Sequence, residues 1–285
     1  MKNIQILTLG LISAGLALGA NAAEKDQFYL WNPTPDAHLR ELNTDQLMYT
    51  ITPYTVDAGH VQLETDLVAY THDNQNIPGG EVRTRGWSFG NMAIRAGLCS
   101  RADLQVNLSP YAQFTTETRI GSAPGTRQTV SGFGNMAVGT KINIWGNDEG
   151  TTALAILPYA TLPTTQHTAG YEDYTGGVSI PFSAKLPCEF TLGLVTGVEF
   201  YEDGRKDIRA VVENGISLKR PLCGPLGAFA EFYTLYSEEF DQWSGLTNAG
   251  LYYKINDNLM LHAGSAFDIE AEVDFYPYFG LTFRL

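Results

Sequence analysis

From Val273 to the final residue the chain alternates between two kinds of side chain. Val273, Phe275, Pro277, Phe279, Leu281, Phe283 and Leu285 share one parity, and Asp274, Tyr276, Tyr278, Gly280, Thr282 and Arg284 share the other. Successive side chains of a β-strand point to opposite faces, so this segment reads as a strand with one apolar, aromatic-rich face and one polar face. A chain built from such strands must place the apolar face in a protein core or in lipid.

The alternation recurs. Gln62, Glu64 and Asp66 interleave with Val61, Leu63 and Leu67; Gln105, Asn107 and Ser109 with Leu104, Val106 and Leu108; Arg209, Glu213, Ser217 and Lys219 with Ile208, Val212, Ile216 and Leu218. Counting similar stretches near 135–144, 178–186, 190–200 and 259–267, and weaker ones at Trp87–Leu98, Thr151–Leu162, Leu226–Tyr236 and Thr247–Ile255, the pattern predicts twelve strands. The joints have a rhythm. Long polar joints at His72–Arg85, Thr115–Ser131, Pro163–Thr175, Tyr201–Asp207, Ser237–Gly245 and Asp268–Glu272 alternate with short ones such as Cys99–Ala102, Pro187–Glu189 and Asn256–Asn258. An even number of strands with long loops at one end and short turns at the other describes an outer-membrane barrel. A soluble sandwich also alternates, but it requires neither this rhythm nor an aromatic-rich last strand. Pro110, Pro158, Pro181 and Pro277 fall inside expected strands, where proline removes a ladder donor, and are expected to mark strand ends or bulges.

The first residues carry a second constraint. Lys2, the apolar run Ile4–Ala20 and the small-x-small triplet Ala20-Asn21-Ala22 form a secretory signal pattern. The expected organisation is a signal peptide at 1–22, a periplasmic N-terminal segment at 23–57 and a barrel at 58–285. Trp31, Leu39, Leu42, Leu47 and Tyr49 offer that segment apolar anchors for plugging or bracing the barrel mouth. The fold class expected is therefore all-β: a transmembrane antiparallel up-and-down barrel of about 12 strands with a short periplasmic N-terminal segment. Lys and Arg number 18 against 31 Asp and Glu. That acidity argues against nucleic acid, whose phosphates demand clustered cations. Cys99, Cys188 and Cys223 form an odd set with no zinc-like spacing, so at most one disulfide joins them.

Two stretches carry a resemblance: Leu39-Arg40-Glu41-Leu42-Asn43-Thr44-Asp45, and Pro53-Tyr54-Thr55-Val56-Asp57-Ala58-Gly59-His60 running into Val61-Gln62-Leu63-Glu64. With Gly132-Phe133-Gly134-Asn135, Trp145-Gly146-Asn147-Asp148 and Leu157-Pro158-Tyr159, the chain resembles an outer-membrane transporter family labelled after the MetA pathway of phenol degradation. The resemblance implies a barrel with a transport role. The last strand also resembles the C-terminal signal read by the barrel assembly machinery, with Leu285 in place of a terminal Phe.

No nucleophile with a base in reach is legible. His38, His60, His72, His167 and His262 have no paired serine motif, and no phosphate-binding loop or EF-hand is present. The expected function is passage of small solutes, hydrophobic or aromatic on the family label, without enzyme activity or cofactor. The alternatives are a closed structural or adhesive barrel with acidic loops and, as a minor one, an outer-membrane hydrolase. By parity the lumen holds Arg95, Lys141, Lys185, Arg209, Lys219, Lys254 and Arg284 against Glu64, Asp66, Glu199, Glu213, Glu231 and Asp274. Such a set suits either a static ion-pair network or a selectivity filter. Asn91, Arg95, Tyr111, Lys141, Lys185, Arg209, Glu213, Glu231 and Tyr252 are the candidate pore-lining residues. The expected partners are outer-membrane lipid and lipopolysaccharide, a small-molecule solute and the assembly machinery. Acid-rich loops suggest divalent cations bridging them to lipopolysaccharide.

Overall fold

A computed structural model describes residues 25–121, 124–164, 174–202, 206–269 and 274–285. The expected signal peptide lies outside the described residues. Twelve strands follow in order: β1 (Val61–Ile77), β2 (Gly80–Phe89 and Asn91–Cys99), β3 (Ala102–Leu108 and Tyr111–Ile120), β4 (Thr126–Gly132 and Met136–Trp145), β5 (Thr152–Leu162) and β6 (Thr175–Lys185). They continue as β7 (Thr191–Glu202), β8 (Ile208–Cys223), β9 (Leu226–Ser237), β10 (Gln242–Asn256), β11 (Leu259–Asp268) and β12 (Tyr276–Arg284). Each pairs antiparallel with the next, and β12 returns to β1 with Gln62 opposite Arg284 and Ala69 opposite Tyr278. The sheet closes into a barrel.

Closure pairs the backbone internally, which is what a lipid environment demands. The outward face carries Ile94, Leu104, Ile142, Ile180, Leu194, Ile216, Phe232, Leu251, Phe279 and Phe283, all exposed, while the polar residues between them turn inward. An apolar exterior around a polar interior inverts the arrangement of a soluble protein, and it places this barrel in the outer membrane. Trp87, Phe200, Trp243 and Phe275 are exposed as girdle residues should be. Tyr159 instead turns its hydroxyl inward and donates to Glu199 at 3.0 Å.

Strands β1 to β4 break in one line. In β1 the register slips between Asp66 and Val68. In β2 the break is Gly90, at φ +71°, and its N–H donates to Leu67 O at 3.3 Å. Ser109 and Pro110 interrupt β3, and the N–H of Gly134, in the gap of β4, donates to Ser109 O at 2.8 Å. A one-residue slip reverses which face each later side chain occupies. Ser88 and Asn91 therefore both point inward and are joined by a 3.0 Å hydrogen bond. In β3, Gln105 is buried below the break and Ala112 above it.

Past this line the four strands continue as an outer extension of the sheet. That corrects two expectations. His72–Arg85 and Thr115–Ser131 are not long loops: β1 and β2 run to a tight turn at Pro78 and Gly79, and most of the second stretch belongs to β3 and β4. Both stretches are polar because they stand beyond the lipid-facing band. Pro158 and Pro181 sit inside β5 and β6 and leave local gaps in the ladder. Pro277 falls between the last β1–β12 pair and the isolated bridge of His72 with Phe275. Cys188 and Cys223 are exposed and unbonded.

Candidate functional site: the lumen and the N-terminal segment

The N-terminal segment is inside the barrel. After Pro33 and Thr34, held near the strand ends, it runs past Arg40, turns at Thr44–Thr52 and leaves through Tyr54–Asp57 into β1. Leu42 and Leu47 are buried as the apolar pattern suggested, whereas Trp31 is 79% exposed.

Polar side chains from the barrel wall hold the turn. Glu64 of β1 accepts from the Thr44 hydroxyl at 2.7 Å, from the Asp45 and Gln46 backbone at 2.7 and 3.0 Å, and from Arg95 at 2.9 Å. Arg95 of β2 also donates to Asp103 of β3 at 2.7 Å and to Tyr54 O at 2.7 Å, and lies 3.2 Å from Asp45. Lys141 of β4 donates to Asp45 and, at 2.7 Å, to Thr52 O. Across the lumen Glu231 of β9 accepts from the Tyr49 and Thr50 backbone at 2.9 and 2.8 Å. Asn248 and Tyr278 donate to Leu47 O at 3.2 and 2.7 Å. Nearer the short-turn end, Asp57 accepts from Arg40 N at 2.8 Å and pairs with Lys25 at 3.2 Å.

Buried charges are tolerated only when paired and hydrogen-bonded, and here each finds several partners. Burial alone would raise the pKa of Asp45, but Lys141 and Arg95 outweigh it and hold the carboxyl down at about 2. Burial likewise opposes ionisation of Asp148, and hydrogen bonds from Arg40 and Lys25 reverse the effect and lower its pKa.

Of the pore-lining candidates, Arg95, Lys141 and Glu231 form the anchor just described. Asn91 lies at the line of strand breaks, accepting from Ser109 Oγ at 2.6 Å. Glu213 accepts from Ser179 and Tyr233 higher on the β6–β9 wall. Arg209 lies near the outer end of β8, 3.6 Å from Asp207. Lys185 and Tyr252 line a cavity at the short-turn end. Tyr111 does not face the lumen: it is 43% exposed on the outer surface and its ring packs against Phe89. The slip at Pro110 reverses the parity that placed it inside. Asp274 is exposed rather than luminal. Asp103, fully buried beside Arg95, lies between the short joint Cys99–Ala102 and the alternation that begins at Leu104, so parity alone does not place it in the lumen. The basic residues assigned to loops also move: Arg83, Arg85 and Arg127 stand on the outer extension, lining a recess with Tyr70 and Trp87.

The turn divides the remaining space. A cavity of about 880 Å³ opens between the N-terminal segment and the β6–β10 wall, bordered by Met48, Thr50, Ser183, Gly193, Ser217 and Tyr252. The wall is lined there by small side chains. A second cavity of about 200 Å³ lies on the opposite side of the turn, against Asp66, Asn91, Tyr276 and Tyr278. Met48 borders both.

Comparison with solved structures finds the barrel elsewhere. The COG4313 outer membrane channel from Pseudomonas putida F1 superimposes with a TM-score of 0.52 at 12% identity, over 85% of this chain and 98% of that one. The NanC porin gives 0.49 at 8% identity over 78% and 100%, and an anion-selective porin from Comamonas acidovorans 0.40 at 10% over 79% and 98%. At such identities the first likeness speaks for the fold alone. A search of curated protein sequences returns no match. A family-wide sequence profile does match, over residues 44–285, from the lumen turn through the last strand. The chain belongs to the family described as "Putative MetA-pathway of phenol degradation".

Proposed function

We propose that this protein is an outer-membrane channel for small solutes with an apolar or aromatic body, and that the N-terminal segment constricts its path. One observation carries the reading: two cavities lie on opposite sides of the turn at Thr44–Thr52 and both border it. A twelve-stranded barrel is narrow enough for one such segment to occlude it. The family description names phenol, which motivates the aromatic substrate class, and the barrel shares its fold with a solved outer membrane channel.

Two partners belong to this proposal. The outward face of the extension, with Arg83, Arg85 and Arg127 beside Trp87, suits the phosphates of lipopolysaccharide better than a cation bridge between acidic loops does. The alternating last strand suits recognition by the assembly machinery. Proteoliposome uptake tests the channel reading: phenol and benzoate should enter faster than a sugar of similar size. Equal exclusion of all three by folded barrels would favour a closed structural anchor.

A further inference from the structure

The larger cavity has an uneven charge. Lys185 of β6, Lys219 of β8 and Lys254 of β10 all border it. In register, Thr191 of β7 lies opposite both Lys185 and Lys219, so these two lysines flank one position of the wall. Lys254 is paired with Glu41 of the N-terminal segment. The other two make no ion pair among the described residues. Lys219 has only the Asn43 amide oxygen, at 3.4 Å, and the face of the Tyr252 ring, at 5.9 Å. Three lysines thus act on Glu41, lowering its pKa against the opposing effect of burial. Asp148 at the mouth is already taken by Lys25 and Arg40, and Glu149 and Glu189 sit on the turns at the rim.

Lys219 is half-buried and Lys185 is open to the cavity; among the described residues neither pairs with a carboxylate of the wall, and the anion that acts with both is Glu41 of the N-terminal segment. Part of the lining is of another kind: Met48, Ile51 and Tyr252 give an apolar side, and Ser183, Gly193 and Ser217 leave room. A volume of about 880 Å³ is in the range that encloses a small organic molecule rather than a bare ion.

We infer that this cavity is a binding site for a small organic carboxylate with an aromatic or apolar body, its carboxylate held by Lys185 and Lys219 and its body against Tyr252 and Met48. The inference rests on the channel reading, since it names the class of solute that would pause on the periplasmic side of the turn. Glu41 is then the built-in competitor, an anion of the protein's own that occupies Lys254 and faces the same two lysines.

Equilibrium binding to the full, detergent-solubilised barrel tests this, with benzoate as the probe and benzyl alcohol as its uncharged counterpart. The wild-type protein should prefer benzoate. Lys185→Ala with Lys219→Ala should weaken benzoate binding about tenfold or more and leave benzyl alcohol unchanged. Glu41→Gln should tighten benzoate several-fold, which loss of a structural contact would not do. Retained heat-modifiable mobility and strand content confirm that each variant is folded. Equal binding of the two probes, wild-type affinity in the double lysine variant, or no gain in Glu41→Gln would overturn the inference. Binding without uptake into proteoliposomes would leave the site standing and remove the channel; uptake without charge preference would do the reverse.

Discussion

Lys141 of β4 and Asp45 of the N-terminal turn form an ion pair inside the barrel although 96 residues separate them in sequence. Lys141 is fully buried, and its remaining partner is the carbonyl of Thr52, on the far side of the same turn. The pair is therefore the pin that holds the turn against the wall. Lys141→Met leaves Asp45 with Arg95 as its one cationic partner beside the hydrogen bonds from Thr52, and loss of one member of a buried pair costs about 3–5 kcal/mol. Denaturant unfolding of the refolded barrel should show a loss of that size, and a loss below about 1 kcal/mol would mean that the turn is held elsewhere.

The same pin has a defined pH range. The Asp45 carboxyl is held at about 2, below its usual 3.8. A depressed carboxylate stabilises the folded state fully above its unfolded value, and that contribution fades as pH falls from there through the folded value. Protection of the turn from backbone hydrogen exchange should therefore persist at pH 5, weaken below about 4 and be lost near 2. In Asp45→Asn this acid-induced step should vanish.

Two glycines of β2 separate strain from obstruction. Gly90 has φ +71°, with only ordinary contacts around an added Cβ. Gly90→Ala should then cost about 1–2 kcal/mol, the price of a left-handed alanine, and leave the lumen unchanged. An added Cβ at Gly97 would stand 1.9 Å from the carbonyl oxygen of Asp57. Gly97→Ala should push the N-terminal segment away from the wall and expose Arg40 to a guanidine-directed reagent. Similar labelling in both variants would contradict this.

The line of breaks in β1 to β4 makes a prediction about lipid. In a protein with its three cysteines changed to serine, a fluorophore on Tyr111→Cys should be quenched by brominated lipid, and one on Ala112→Cys should not. Unbroken alternation through Pro110 would give the opposite result. Lower on the same wall, Ile94→Arg should cost about 2–4 kcal/mol in a bilayer, as a cation does on a lipid-facing strand near the midplane.

The barrel was legible because its rule is local. Period-2 alternation from Val61 to Leu285 needs no knowledge of partners, and twelve strands, antiparallel closure and the inward set around Glu64, Arg95 and Lys141 follow from it. What the alternation misses are the places where one residue is inserted. Pro110 signalled its break, but Gly90, Leu67 and Gly134 looked ordinary, and Tyr111 was placed on the wrong face in consequence. The path of the N-terminal segment was harder still. Its contacts join residues up to 244 positions apart, as between Arg40 and Arg284, and no periodicity encodes them. Only the unusual density of Asp, Thr and Asn between Asn43 and Asp57 hinted at partners elsewhere.

Single-channel recording from the refolded protein in a planar bilayer, wild type beside Lys141→Met, tests the central claim that a pinned turn constricts the lumen. The account predicts a small wild-type conductance and a larger, fluctuating one when Lys141 is removed. A wide, steady wild-type conductance that Lys141→Met leaves unchanged would contradict it.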